Sequence, residues 1–217
     1  MKPLTNAINI TMLMLLAQLG QAAPQTIDDF NTGPYQGVSL VSESKLYFQK
    51  GSMLGGQRHV VHRVDQIPPS LSRTGMSAVT KGHLIVEDGV HTASRLQVSY
   101  GIEQHGSVAP LNLDLSQDLA NGQFTLRFHS IDMQNQVDVI IQAVTSSREV
   151  FQISKQVTPP VVGSSFDVSF PLADFRSGKT GKPPTENDFK SIDYLTLIFQ
   201  EGGNGGNDFA VDSFDIR

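Results

Sequence analysis

The chain of 217 residues has no cysteine and no tryptophan, and only 17% of it is charged. Without cysteine there can be no disulfide scaffold, thiol catalysis or cysteine-ligated zinc or iron–sulfur centre. Without tryptophan, a flat ligand has only Tyr35, Tyr47, Tyr100 and Tyr194 as polar-tipped aromatic platforms. Acidic residues outnumber basic ones 21 to 16, a formal net charge of −5. That balance lacks the basic stripe of a phosphate-tracking protein, so nucleic acid is not an expected partner. No long window repeats apolar residues at helical spacing, so no substantial helix is expected. Gly-x-Ser-x-Gly and His-Glu-x-x-His, two common hydrolase signatures, are also missing.

What is present begins with a leader. Lys2 precedes a compact apolar stretch from Ile8 to Ala17, and Gly20-Gln21-Ala22 then offers small residues where a signal peptidase cuts. Cleavage after Ala22 leaves residues 23–217 as one mature domain, 217 − 22 = 195 residues, with no proline at its first position. The stretch is shorter than the roughly 20 apolar residues of a membrane span, and no later segment is long and apolar enough. The protein is therefore expected to be periplasmic or secreted. Export without cysteine reads as bacterial, because eukaryotic secreted domains often carry disulfides.

Beyond the leader the hydrophobic period is two. Leu96, Val98 and Tyr100 alternate with polar residues, as do Leu111, Leu113 and Leu115, then Phe124, Leu126 and Phe128, then Val137, Val139 and Ile141. Such alternation marks strands with one buried and one wet face. The segments 166–170 and 195–199 read as further core strands, and glycine-, asparagine- and proline-rich clusters separate them. About nine to eleven strands in an all-β, antiparallel β-sandwich or barrel are expected, with no internal repeat and no composition break.

The wet faces carry the binding candidates. Arg95, Gln97 and Ser99 share one side of a strand; Arg127 and His129 share one side of another, with Gln142 and Gln152 extending the row. Guanidinium, imidazole and amide groups suit sugar hydroxyls, so Arg95, Gln97, Arg127, His129 and the aromatic Tyr100 are the expected ligand-binding residues. The plain alternative is an ordinary solvated sheet face. His59 and His62 are three apart, which in a strand sends them to opposite faces and denies them a common metal. Gly178-Lys179-Thr180 is a phosphate-loop fragment, but Pro183-Pro184 forbids the helix it needs. At the end of the chain Phe209 and Val211 share a face, yet Phe214 and Ile216 resume out of phase, and a bulge at Asp212-Ser213 reconciles them.

Segments at the two ends carry a resemblance. Ile27-Asp28-Asp29-Phe30, Gly55-Gly56-Gln57-Arg58, Phe170-Pro171-Leu172-Ala173-Asp174-Phe175, residues 188–195 and the closing run 208–216 are similar to the galactose-binding-like jelly-roll β-sandwiches. These include non-catalytic carbohydrate-binding modules and CIA30-like domains. The resemblance implies that the first and last strands lie side by side. It further implies a structural Ca²⁺ near them, for which Asp29 and Asp212 are the expected oxygen ligands. The leading expectation is an exported binding module for a glycan or polysaccharide, not an enzyme. The alternatives are a structural or adhesive protein binding an envelope or matrix protein, and a carbohydrate-active hydrolase or lyase.

Overall fold

Alternating apolar residues need a second apolar layer to cover them, and two sheets supply it to one another. The computed structural model describes residues 25–32, 35–39, 44–66, 75–89, 92–102, 107–132, 136–201, 206 and 208–217. The leader expected over residues 1–22 lies outside them. The first sheet holds β1 (Gln25–Asp28), β2 (Tyr35–Ser39), β5 (Gly75–Thr80), β6 (His83–Asp88), β8 (Gln123–Ile131), β11 (Phe166–Pro171) and β14 (Phe209–Ile216). The second holds β3 (Ser44–Lys50), β4 (Gln57–Gln66), β7 (Ala93–Tyr100), β9 (Val137–Thr145), β10 (Val150–Val157), β12 (Arg176–Ser177) and β13 (Ile192–Glu201). Strand order is β11-β8-β14-β6-β5-β2 in the first, with β1 also on β14, and β12-β10-β9-β13-β7-β4-β3 in the second.

Every pairing is antiparallel, and the whole is a jelly-roll-class β-sandwich. The fourteen strands among the described residues exceed the nine to eleven expected, because short pieces such as β1, β2 and the two-residue β12 show too few alternations to be counted. In the other direction, Leu111–Leu115 is not a strand. Asn112 takes a left-handed backbone with φ of 50°, which breaks the pleat, and only Leu113 forms a bridge, to Ile192. Among the described residues no helix is long and apolar enough to cross a membrane.

Phenylalanine dominates the filling between the sheets. Phe128 from β8 stacks on Phe166 with ring centroids 5.1 Å apart and meets Phe199 of the opposite sheet edge-on at 6.2 Å. At one end of this core an ion pair ties the sheets together. Arg58 on β4 directs Nη1 to both oxygens of Asp28 on β1 at 2.7 Å, and its side chain is wholly buried. Its remaining donors reach Gln49 Oε1 at 2.7 Å and the carbonyl of Thr32, and its charge lies 5.4 Å above the Phe30 ring. Asp28 also accepts the Phe30 amide at 2.9 Å and the Tyr100 hydroxyl at 3.0 Å. Burial pushes the Asp28 carboxyl up, and Arg58 with these two donors opposes the shift.

Candidate functional site

Two outer faces carry the polar side chains, and they look away from each other. On the second sheet, the paired registers align Gln152, Gln142, Thr196, Ser99, His59 and Phe48 in one row across six strands. Adjacent strands are about 4.8 Å apart, so the row is about 24 Å long. Neighbouring members bond directly: Gln142 Nε2 donates to Gln152 Oε1 at 3.1 Å, and the Ser99 and Thr196 hydroxyls are 3.2 Å apart. Gln97 Nε2 reaches down to Ser99 Oγ at 3.2 Å. The next row reads Ser154, Ile140, Ile198, Gln97, Val61 and Leu46. Within it Ile198 is buried while Leu46 is 58% exposed. A third row carries the charge, with Asp138, Gln200, Arg95 and Arg63 side by side.

His59 is half-buried on this face and burial lowers its pKa, so it is a neutral imidazole near neutral pH. His62, three residues on, turns inward and is fully buried. The two histidines thus face opposite ways, as the strand period requires.

On the first sheet the outer face is built differently. Arg127 on β8 lies opposite Asp167 on β11, with 3.7 Å between their charged atoms. Arg217 joins the same group, 3.6 Å from Asp167 and 3.8 Å from Asp215. Beside this exposed ion network, His83 on β6, Asp212 on β14 and His129 on β8 converge. The Asp212 Oδ1 oxygen lies 2.7 Å from His83 Nδ1 and 3.3 Å from His129 Nδ1. The two imidazole rings are 4.5 Å apart at their centroids.

Strand irregularity places this trio. In the β14–β8 ladder Ala210 pairs with Ser130, Val211 with Phe128 and Ser213 with Arg127, so neither His129 nor Asp212 has an opposite number. The bulge expected at Asp212-Ser213 is therefore present, and β8 carries a matching one. At the same point β14 changes neighbours on its other side: Phe209–Val211 pairs with β6, and Phe214–Ile216 pairs with β1. Asp212 sits where one partner strand gives way to the next. An open groove of about 570 Å³, lined by Arg127, His129, Gly163, Ser165, Asp212 and Ser213, lies in front of it.

The structure sorts the residues singled out from sequence. Arg95 and Gln97 belong to the second sheet, Arg127 and His129 to the first, so these four cannot line one site. Gln142 and Gln152 extend the Gln97 face and not the Arg127 face. Tyr100 is no platform at all: it is fully buried with its hydroxyl on Asp28, as its alternation with Leu96 and Val98 already required. Asp29 directs its carboxylate to the Asn31 amide at 3.0 Å, whereas the carboxylate of Asp212 is engaged by the two imidazoles. His83 was missed, because nothing local links it to a residue 129 positions later. The available signal was its place outside Leu84 and Val86 in a short alternating run.

Tyr100→Phe tests the correction. Losing a hydrogen bond to a charged acceptor costs about 1.5–3 kcal/mol, so the variant is expected to unfold at lower denaturant while every ligand isotherm stays unchanged. A Tyr100→Phe protein of native stability with weakened ligand binding would restore the platform reading.

No family model matches the chain, and no curated protein matches it. Among solved structures it is similar to the family 11 carbohydrate-binding module of a cellulosomal cellulase of Clostridium thermocellum, at 13% identity and a TM-score of 0.44. That match covers 91% of this chain and 95% of the other. A family 11 module from the same organism, in complex with a β-1,3-1,4-mixed-linked tetrasaccharide, aligns at 13% identity and a TM-score of 0.45, covering 91% and 96%. The family 30 module of another C. thermocellum cellulosomal cellulase aligns at 15% and 0.41, covering 90% and 98%. At these identities no residue of theirs is carried across, and function here rests on the two faces described above.

Proposed function

We propose that the protein is an exported, non-catalytic binding module that holds a glycan chain on the outer face of the second sheet. One observation carries this reading: neutral amide, hydroxyl and imidazole side chains run from Gln152 to His59 across five strands, about 19 Å, beside a second row in which Val61 and Leu46 adjoin Gln97. A sugar ring presents hydroxyls that both donate and accept around its rim and C–H groups on its faces. The amides of Gln97, Gln142 and Gln152 likewise do both, the buried Ser99 hydroxyl anchors Gln97 from below, and Val61 and the exposed Leu46 beside them receive the C–H face. Charge on this face is concentrated in the third row, with Lys50 apart from it at the end of β3.

The test is calorimetric titration of the purified protein with a panel of neutral and uronic-acid-containing oligosaccharides. The double variant Gln97→Ala, Gln142→Ala removes two neutral hydrogen-bonding groups at about 0.5–1.5 kcal/mol each. Its affinity is expected to fall roughly 5- to 150-fold by that measure. Binding to none of the panel, or a loss caused by Arg127→Ala and not by the double variant, would overturn the assignment to this face.

A further inference from the structure

We propose that His83, His129 and Asp212 form a binding site for a zinc-class divalent metal ion, on the sheet opposite the glycan face and independent of it. The donor set is the first reason. Two imidazole nitrogens and one carboxylate oxygen lie within 4.8 Å of one another. Imidazole suits zinc, copper, nickel and iron, whereas calcium takes six to eight oxygens. Asp212, which the sequence offered to calcium, thus stands in a nitrogen-rich set.

Spacing is the second reason. Zinc bonds of 2.0–2.2 Å arranged tetrahedrally put neighbouring ligand atoms about 3.3 Å apart. His129 Nδ1 and Asp212 Oδ1 are already 3.3 Å apart, and His83 Nδ1, at 2.7 Å from the same oxygen, needs to move by about half an ångström to reach that spacing. Such a move is small for side chains that are 54% and 30% exposed at the two histidines.

Support from the backbone is the third. The ligands come from three adjacent strands, and their neighbours Leu84, Phe128 and Val211 are wholly buried in the core. Metal sites built on such packed strands are held more closely than sites on loops. Two bulges re-aim His129 and Asp212 toward one point, which is what bulges near functional sites do. Three protein ligands would leave a fourth position, and the groove in front of Asp212, lined also by Arg127, Gly163, Ser165 and Ser213, gives solvent access to it. Water or an oxygen donor of a bound molecule would complete the shell there.

The experiment titrates the metal-stripped protein with Zn²⁺, Co²⁺ and Ca²⁺, followed by calorimetry and thermal melting. One zinc per chain is expected, and at a hundred times its dissociation constant the midpoint should rise by about 5–10 °C. Co²⁺ should give visible absorption bands of a low-symmetry, nitrogen-ligated ion in the unmodified protein, a readout that needs no variant. His83→Gln and His129→Gln should each weaken zinc by at least the roughly 10- to 100-fold that loss of an outer-shell partner costs. Three results would overturn the site: no response to zinc or cobalt, zinc binding untouched by both histidine variants, or stabilisation by Ca²⁺ alone that His83→Gln leaves intact. Glycan titration in chelator reads the other face separately, so failure of either proposal leaves the other standing.

Discussion

Replacing Arg58 by methionine is expected to lower the stability of the protein by about 3–5 kcal/mol, the cost of leaving a buried charge without its partner. For a chain of this size that is a fall in Tm of about 6–20 °C. The cause is not the strength of the ion pair as such. Asp28 is only 1% exposed and accepts four hydrogen bonds, two of them from Arg58. Without the guanidinium its carboxylate must either stay charged in an apolar site or take up a proton. Removing both charges together should therefore cost less than removing one, and Asp28→Leu combined with Arg58→Met is expected to recover most of the loss. Guanidinium-chloride unfolding of the three variants measures this directly. A double variant as unstable as Arg58→Met would show that packing around Phe30 and Gln49, and not the charge, holds this end of the sandwich.

Acid should weaken the protein through His62, well above the pH at which most carboxylates titrate. This imidazole faces inward from β4 between Val60 and Val64 and is wholly buried, and burial pushes its pKa from 6.5 down to about 4. Between those values the unfolded chain takes up a proton that the folded one refuses. Stability is thus complete above pH 6.5 and is lost as pH falls toward 4, by about 3 kcal/mol in all. The acidic side chain packed nearby is Asp88, across Gly75: a Cβ built at Gly75 would lie 2.3 Å from its Oδ1 and 3.0 Å from His62 Cε1. His62→Leu should flatten the difference between unfolding free energies at pH 7 and pH 4.5. An unchanged pH slope in that variant would move the acid sensitivity to other groups.

Much of the architecture was legible because period two is a local property. Leu96, Val98, Phe124, Leu126, Phe128, Val139 and Ile141 all point inward, as their spacing demanded. The slip in phase between Val211 and Phe214 located a bulge to within one residue, and the pairing of the first strand with the last followed from the resemblance of the chain ends. Alternation tells which face of a strand is buried but not which sheet the strand joins. That is why Arg95 and Arg127 looked like parts of one surface and lie on two. The His83–His129–Asp212 group was hidden for the same reason, since it exists only through the pairing of β6 and β8 with β14. Asp28 and Arg58 stood within the recognised end segments, yet their partnership crosses from one sheet to the other and leaves no spacing to read.

The pairing of Gln25 with Ile216 has a mechanical consequence. Tension applied to the two ends of the domain acts at the same end of this strand pair, so it loads the β1–β14 bonds one after another instead of all together. Such an arrangement unzips at low force, starting at Gln25. The peeling then arrives at Asp28, clamped across the core to Arg58. Force on the two ends would thus free one short strand and stop there, lengthening the domain slightly while both outer faces stay folded.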